Sequence, residues 1–319
     1  MKGIGFLSGF VSGLLTLGII LPASSQVTSD GTTNTTVNTN GNNFNILNGI
    51  QKGNNLFHSF KEFSIPTGGS ANFNNSTNVV NIINRVTGGN ISDIDGLIKT
   101  SGNANLFLIN PAGIVFGKNA SLNIGGSFFV STAESILFDS GFEFTAVNPQ
   151  STPLLTVSVP LGLQMGSNSG NIQINGNGHQ LIGGLFNPII RNNTQSTLQV
   201  NEGNSIVIVA QNLTFNGGVL TVENGAIELG AVKTGTVNLD STSSSLQLSY
   251  DKIENFGDIQ LINRSLLDTS GLTSNGIELQ GQNITFKDGS SIFIQNTGNE
   301  TPSDIQVSAK GILELSGDV

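Results

Sequence analysis

Asp93 and Asp95 are the first residues in this chain whose types and spacing could do chemistry. Side chains two positions apart on an extended segment point the same way, so these carboxylates share a side. A calcium-dependent polysaccharide lyase needs such acids as oxygen ligands for the cation, with a base nearby to take a proton. Here the neighbourhood offers only Lys99 and Arg85 and no wider acidic cluster, which fits a turn-capping pair better. His58 lies between Phe57 and Phe60, an apolar setting that suits a packed, hydrogen-bonded ring rather than a base. His179 follows Gly176-Asn177-Gly178 with no Cys, His or Asp at metal-ligand spacing. Asn-x-Ser/Thr sites such as Asn75 and Asn119 are what 41 asparagines produce by chance. No catalytic residue, cofactor site or metal site is assigned.

The elements that carry these residues are short strands. Ile172-Gln173-Ile174, Leu213-Thr214-Phe215, Ile227-Glu228-Leu229, Ile259-Gln260-Leu261, Ile284-Thr285-Phe286 and Leu313-Glu314-Leu315 alternate with period two. Gly, Asn, Ser or Asp bound each of them. Glycine matches asparagine at 41, and both supply the positive φ that many turns need. Charged residues make up only 10% of the chain, too few for helical domains, which draw about a quarter of their residues from charge. Hydrophobic residues at 37% argue against disorder. The net charge of −9 lacks the basic footprint of a nucleic-acid binder.

Spacing separates a solenoid from a sandwich or barrel. Tight two-residue hairpins are few, and Ile277–Gly289 resembles Ile305–Gly317 at an offset near 28 residues with one residue of slippage. That offset corresponds to one coil of three short strands. Identical positions then stack on successive coils, with Asn and Gly at the corners.

The amino terminus reads as a secretory signal peptide over residues 1–25. Lys2 is followed by an apolar stretch from Ile4 to Leu21 and small residues to Ser25, with cleavage before Gln26. No later segment approaches that apolar length, so no membrane span is expected in the mature chain. Cysteine is absent, so an exported chain gains no covalent staples.

Residues 28–138 carry a resemblance. The runs are Asp30 to Val37 (DGTTNTTV), Asn55 to Phe60 (NLFHSF), Ile82 to Gly89 (IINRVTGG) and Ser92 to Gly96 (SDIDG). The strongest is Ala104 to Gly117 (ANLFLINPAGIVFG), followed by Ala120 to Phe128 and Ser131-Thr132-Ala133. Together and in order they resemble the N-terminal secretion domain of filamentous-haemagglutinin-like exoproteins, the cargo of two-partner secretion. An Asn-Pro-Asn-Leu element that some members carry near Asn81–Arg85 lacks its proline here. The Asn-Pro-x-Gly-Ile element is intact at Asn110, Pro111, Gly113 and Ile114.

The resemblance implies a right-handed parallel β-helix, all-β, with an N-terminal cap and extra-helical strands. It implies that residues 26–150 address the chain to an outer-membrane β-barrel transporter and nucleate folding, with residues 151–319 as continuing coils. Asn110, Pro111, Gly113, Ile114, Asn81 and Arg85 are the residues expected to serve recognition or nucleation. The expected product is a non-enzymatic exoprotein, secreted or held at the surface of a Gram-negative bacterium. Its role would be adhesive or structural, with host or cell-surface glycans or proteins as further partners. The rival is a secreted polysaccharide lyase or hydrolase on the same scaffold. Ser316-Gly317-Asp318-Val319 follows a strand with no polar cap, which leads to the expectation of a truncated, longer exoprotein.

Overall fold

Alternating segments close into coils because each has one apolar face and is soon followed by a residue that tolerates a sharp turn. The computed structural model describes residues 26–149, 158–184, 187–191, 194–240, 247–299, 301 and 304–317. The signal-peptide reading, Ser25 included, lies outside these residues. They form a right-handed parallel β-helix with no α-helix among them; one 3-10 turn occurs at Asp139–Gly141.

Three faces run along the solenoid. The widest stacks Asn55–Phe63, Asn81–Val86, Asn105–Ile109, Phe128–Ser131 and Ser205–Ala210 in parallel. It continues through the first half of Ala226–Asp240 to Gly276–Gly281 and Ile305–Ala309. A second face runs from Ser92–Ile94 through Ile114–Phe116, Ile172–Asn175, Leu213–Asn216, Ile259–Ile262 and Ile284–Phe286 to Leu313–Leu315. The third is made of Asn43–Asn48, Ser70–Phe73, Leu97–Thr100 and Ser121–Asn123, then Leu198–Gln199, Val219–Thr221, Leu266–Asp268 and Ser291–Phe293. Ile277 pairs with Ile305 and Ile284 with Leu313, the offset and single slip read from the sequence.

The first coil is closed by antiparallel strands. Val27–Ser29 and Ile50–Lys52 pair with opposite ends of Asn55–Phe63, and a hairpin joins Thr35–Asn40 to Asn43–Asn48. These strands cover coil edges that would otherwise stand open.

The chain builds two apolar cores. The inner one lines the solenoid from Leu56, Ile82 and Leu106 to Leu229, Ile259 and Leu279 without a break near residue 150. The second lies on the outer side of the widest face, where Phe57, Ile83, Phe107, Phe129, Val207 and Val209 project away from the solenoid. Two excursions cover it. Ser135–Phe138, Glu143–Thr145 and Pro160–Met165 pair antiparallel. The end of Ala226–Asp240 then leaves the solenoid to pair with Pro160–Met165 and Gln247–Ser249. Strands such as Ser205–Ala210 are therefore buried on both sides.

Asparagines form ladders at the corners, where a side-chain amide bonds the coil above as a backbone group would. Asn212 Nδ2 donates to Asn171 Oδ1 at 2.9 Å, and Asn283 Nδ2 donates to Asp258 Oδ1 at 2.9 Å.

Candidate functional site

The residues singled out in 26–150 converge on the first three coils. Asn81 opens the strand Asn81–Val86 and sits in a ladder of its own. Its Nδ2 donates to Asn55 Oδ1 at 2.9 Å, and its Oδ1 accepts from Asn105 Nδ2 at 3.0 Å. Three successive coils are thus held in register by identical side chains.

Arg85 is the penultimate residue of the same strand, on its outer side, and is 1% exposed. A guanidinium so buried must have all its donors met. Nε donates to Ser59 Oγ at 2.8 Å, one terminal nitrogen to the Thr145 carbonyl at 2.6 Å and the other to Thr32 Oγ1 at 2.8 Å. The guanidinium carbon is 4.3 Å from the Phe144 ring centroid. The same two hydroxyls donate onward to Asp30, Ser59 at 2.6 Å and Thr32 at 2.8 Å. Asp30 also accepts from the Thr32 amide at 2.9 Å and Thr87 Oγ1 at 2.9 Å. Burial raises the Asp30 carboxyl, but hydrogen bonds from Ser59, Thr32 and Thr87 outweigh it and leave the group below its usual value. Burial lowers the Arg85 guanidinium to about 10, opposed by Asp30, so it stays charged at neutral pH.

Asn110 occupies the corner between the widest and second faces and is fully buried. Its Oδ1 accepts from the Ala112 amide at 3.0 Å, which shapes the turn. Its Nδ2 donates to Asn90 O and Ser92 Oγ, both at 2.9 Å, tying the turn to the coil before. Gly113 has φ of 122°, and a Cβ there would lie 3.2 Å from the Asn171 carbonyl. Pro111 is half-buried, and Ile114 points into the inner core. Asn81, Arg85 and Asn110 therefore lie within adjoining coils, none offering its side chain to solvent.

The other sequence candidates serve packing. Asp95 accepts from Thr67 Oγ1 and from the amide and side chain of Asn119, each at 2.9 Å for Asn119, so it caps turns on two coils. Asp93 is exposed beside it, in an open groove of about 510 Å³ that also includes Lys118. No cluster of three or more His, Cys, Asp or Glu suited to a metal occurs among the described residues. His58 is packed against Phe60 and Phe73, with Nδ1 2.9 Å from Thr35 Oγ1. His179 accepts from the Leu181 amide through Nδ1 at 3.2 Å and meets the Gly289 carbonyl through Nε2 at 2.8 Å.

Sequence reasoning nominated Arg85 but not its partners Asp30, Thr32, Ser59, Phe144 and Thr145. One signal was present: Arg85 is the sole arginine in residues 26–150 and stands between Ile83 and Val86. A charge in such a run demands a buried partner.

Comparison with known proteins agrees with this architecture. The HMW1 secretion domain from Haemophilus influenzae is similar in structure, with a TM-score of 0.52 and 19% identity over 92% of this chain and 73% of that one. The filamentous hemagglutinin secretion domain aligns over 91% of this chain and 99% of its own, with a TM-score of 0.46 and 14% identity. No curated protein matches the chain in sequence. The family profile described as TPS secretion domain matches residues 25–282, through both excursions and past residue 150, and the chain belongs to that family.

Proposed function

We propose that residues 26–150 address this chain to an outer-membrane β-barrel transporter of two-partner secretion and nucleate the β-helix that follows. Membership in the TPS secretion domain family points to transporter targeting. The nucleation half of the reading rests on one observation: the Asp30–Arg85 network joins the cap, the first two coils and the first excursion through buried, charge-assisted bonds. Each coil gains stability chiefly from a neighbour already in place, so a self-sufficient first unit is what later coils require.

In this reading Asn81 and Arg85 fix the register of the opening coils. Asn110, Pro111, Gly113 and Ile114 set the corner of the third coil and tie it to the corner before it. Their burial favours a part in folding, with contact to the transporter made before the corner closes. Residues 151–319 extend the shaft, which serves as an adhesive or structural surface toward host or cell-surface glycans or proteins. A signal peptide over residues 1–25, cleaved between Ser25 and Gln26, starts export, and the product is secreted or surface-held on a Gram-negative cell.

The test is export of the chain from cells that do or do not make its cognate transporter. Mature chain should reach the outside only with the transporter present. Equal amounts in both strains would refute the assignment.

A further inference from the structure

The outer side of the widest face changes character along the shaft. It is apolar through Val207 and Val209 and then turns polar, with Glu228, Gly230, Glu278 and Gln280 in successive strands. Glu228 and Glu278 are register partners on adjacent parallel strands, whose backbones stand about 4.8 Å apart. Glu228 is 6% exposed, and its Oε2 has no hydrogen-bond partner among the described residues. Tyr250, from the second excursion, lies directly over this pair of strands: a Cβ on Gly230 would be 2.4 Å from its hydroxyl. That hydroxyl and Gln280 Nε2 are likewise unpartnered among the described residues.

No cation pairs with either carboxylate among the described residues. Val207 faces Glu228 from one neighbouring strand, and Gln306 faces Glu278 from the other. In the excursion, Asp251 bonds Ser249, and Glu254 adds no positive charge. The excursion's Lys252 forms no ion pair among the described residues, and Lys310, at the end of the last strand, stands over the Phe256 ring. Burial, and then Glu278, push the Glu228 carboxyl up to about 8; burial also raises Glu278. A buried Glu228 with half-buried Glu278 in register beside it opposes ionisation of both at once.

We propose that Glu228 and Glu278 share one proton in the folded chain, and that this proton latches the excursion at residues 247–256 onto the shaft. The unfolded chain ionises both groups at neutral pH, so folding takes up a proton at this site. The stabilising effect is complete at low pH and is lost as pH rises through about 8. This latch is independent of the export reading.

Unfolding of the whole chain between pH 5 and 9 tests it, alongside Glu228→Gln, which mimics the protonated group. Relative to the variant, the unfolding constant of the native chain should rise up to about tenfold per pH unit toward pH 8. Hydrogen exchange should show residues 247–256 losing protection above pH 8 before Ser205–Ala210 does. Infrared titration of the native chain, which needs no variant to fold, should show a protonated carboxyl at pH 7. Parallel pH curves, uniform loss of protection or no protonated carboxyl would overturn the latch. So would calcium or magnesium chloride stabilising the native chain but not Glu228→Gln, since a cation would then fill the proton's place.

Discussion

Arg85 lies with its guanidinium carbon 4.3 Å from the centre of the Phe144 ring, so a strand of the second regular coil is clamped to an excursion about sixty residues later. Cation and ring are both buried, and a desolvated cation–π contact of this kind contributes about 2 kcal/mol. The clamp works only because Ser59, Thr32 and the Thr145 carbonyl meet the remaining donors.

Arg85→Ala removes three hydrogen bonds and the Phe144 contact, leaving a buried gap beside Ser59 and Thr145. The loss expected in urea unfolding is about 2–5 kcal/mol. Arg85→Lys keeps the charge but loses the planar fork, so it should recover only part of that loss. Full recovery would show that charge alone holds the network.

Phe144→Ala should cost about 3–5 kcal/mol by cavity formation in the outer core. Limited proteolysis should then cut residues 132–165 while the solenoid stays intact. Cleavage within the coils at the same rate would show that the two cores unfold together.

His58 provides a pH signature at the opposite end of the scale. Burial holds its folded value near 3, against 6.5 when exposed. The unfolded chain binds the extra proton, so stability from this site is present above pH 6.5 and lost as pH falls toward 3. The slope is at most about 1.4 kcal/mol per unit. His58→Gln removes the titration and should flatten the acid limb of the stability curve, measured by chemical denaturation.

The solenoid was legible in the sequence where its coils are uninterrupted. Ile277 and Ile305 differ by one plain coil, and their flanking apolar pairs repeat visibly. Phe128 and Ile206 are also stacked neighbours, but the first excursion and the hairpin of Ile182–Gly184 with Asn187–Ile190 lie between them and erase any period. The outer core was missed for a related reason. Phe128-Phe129-Val130 and Ile206 to Ala210 are continuous apolar runs, the mark of strands buried on both faces, and a search for period-two alternation passes over them. Asn110 could be placed at a turn from its Pro and Gly neighbours. Its bonds to Asn90 and Ser92 depend on coil stacking, and the Asp30–Arg85 relay depends on hydroxyls up to fifty-three residues from Arg85.

Asn110→Ala removes three hydrogen bonds from a buried corner. Leaving those partners unmet should cost about 1–3 kcal/mol. Because the corner is assigned to the nucleus, most of that loss should appear as slower refolding rather than faster unfolding in stopped-flow traces.

Export through the cognate transporter tests the central claim most directly, with the amount of mature chain outside the cell compared for Asn110→Ala and Leu279→Ala. Leu279 is fully buried in the inner core of a late coil, and its truncation costs about 2–5 kcal/mol, at least as much as the corner variant. If the first coils address and nucleate the chain, Asn110→Ala cuts the exported yield while Leu279→Ala leaves it near the native level. Equal yields from the two, or a larger loss for Leu279→Ala, would contradict an address and nucleus at the front of the chain.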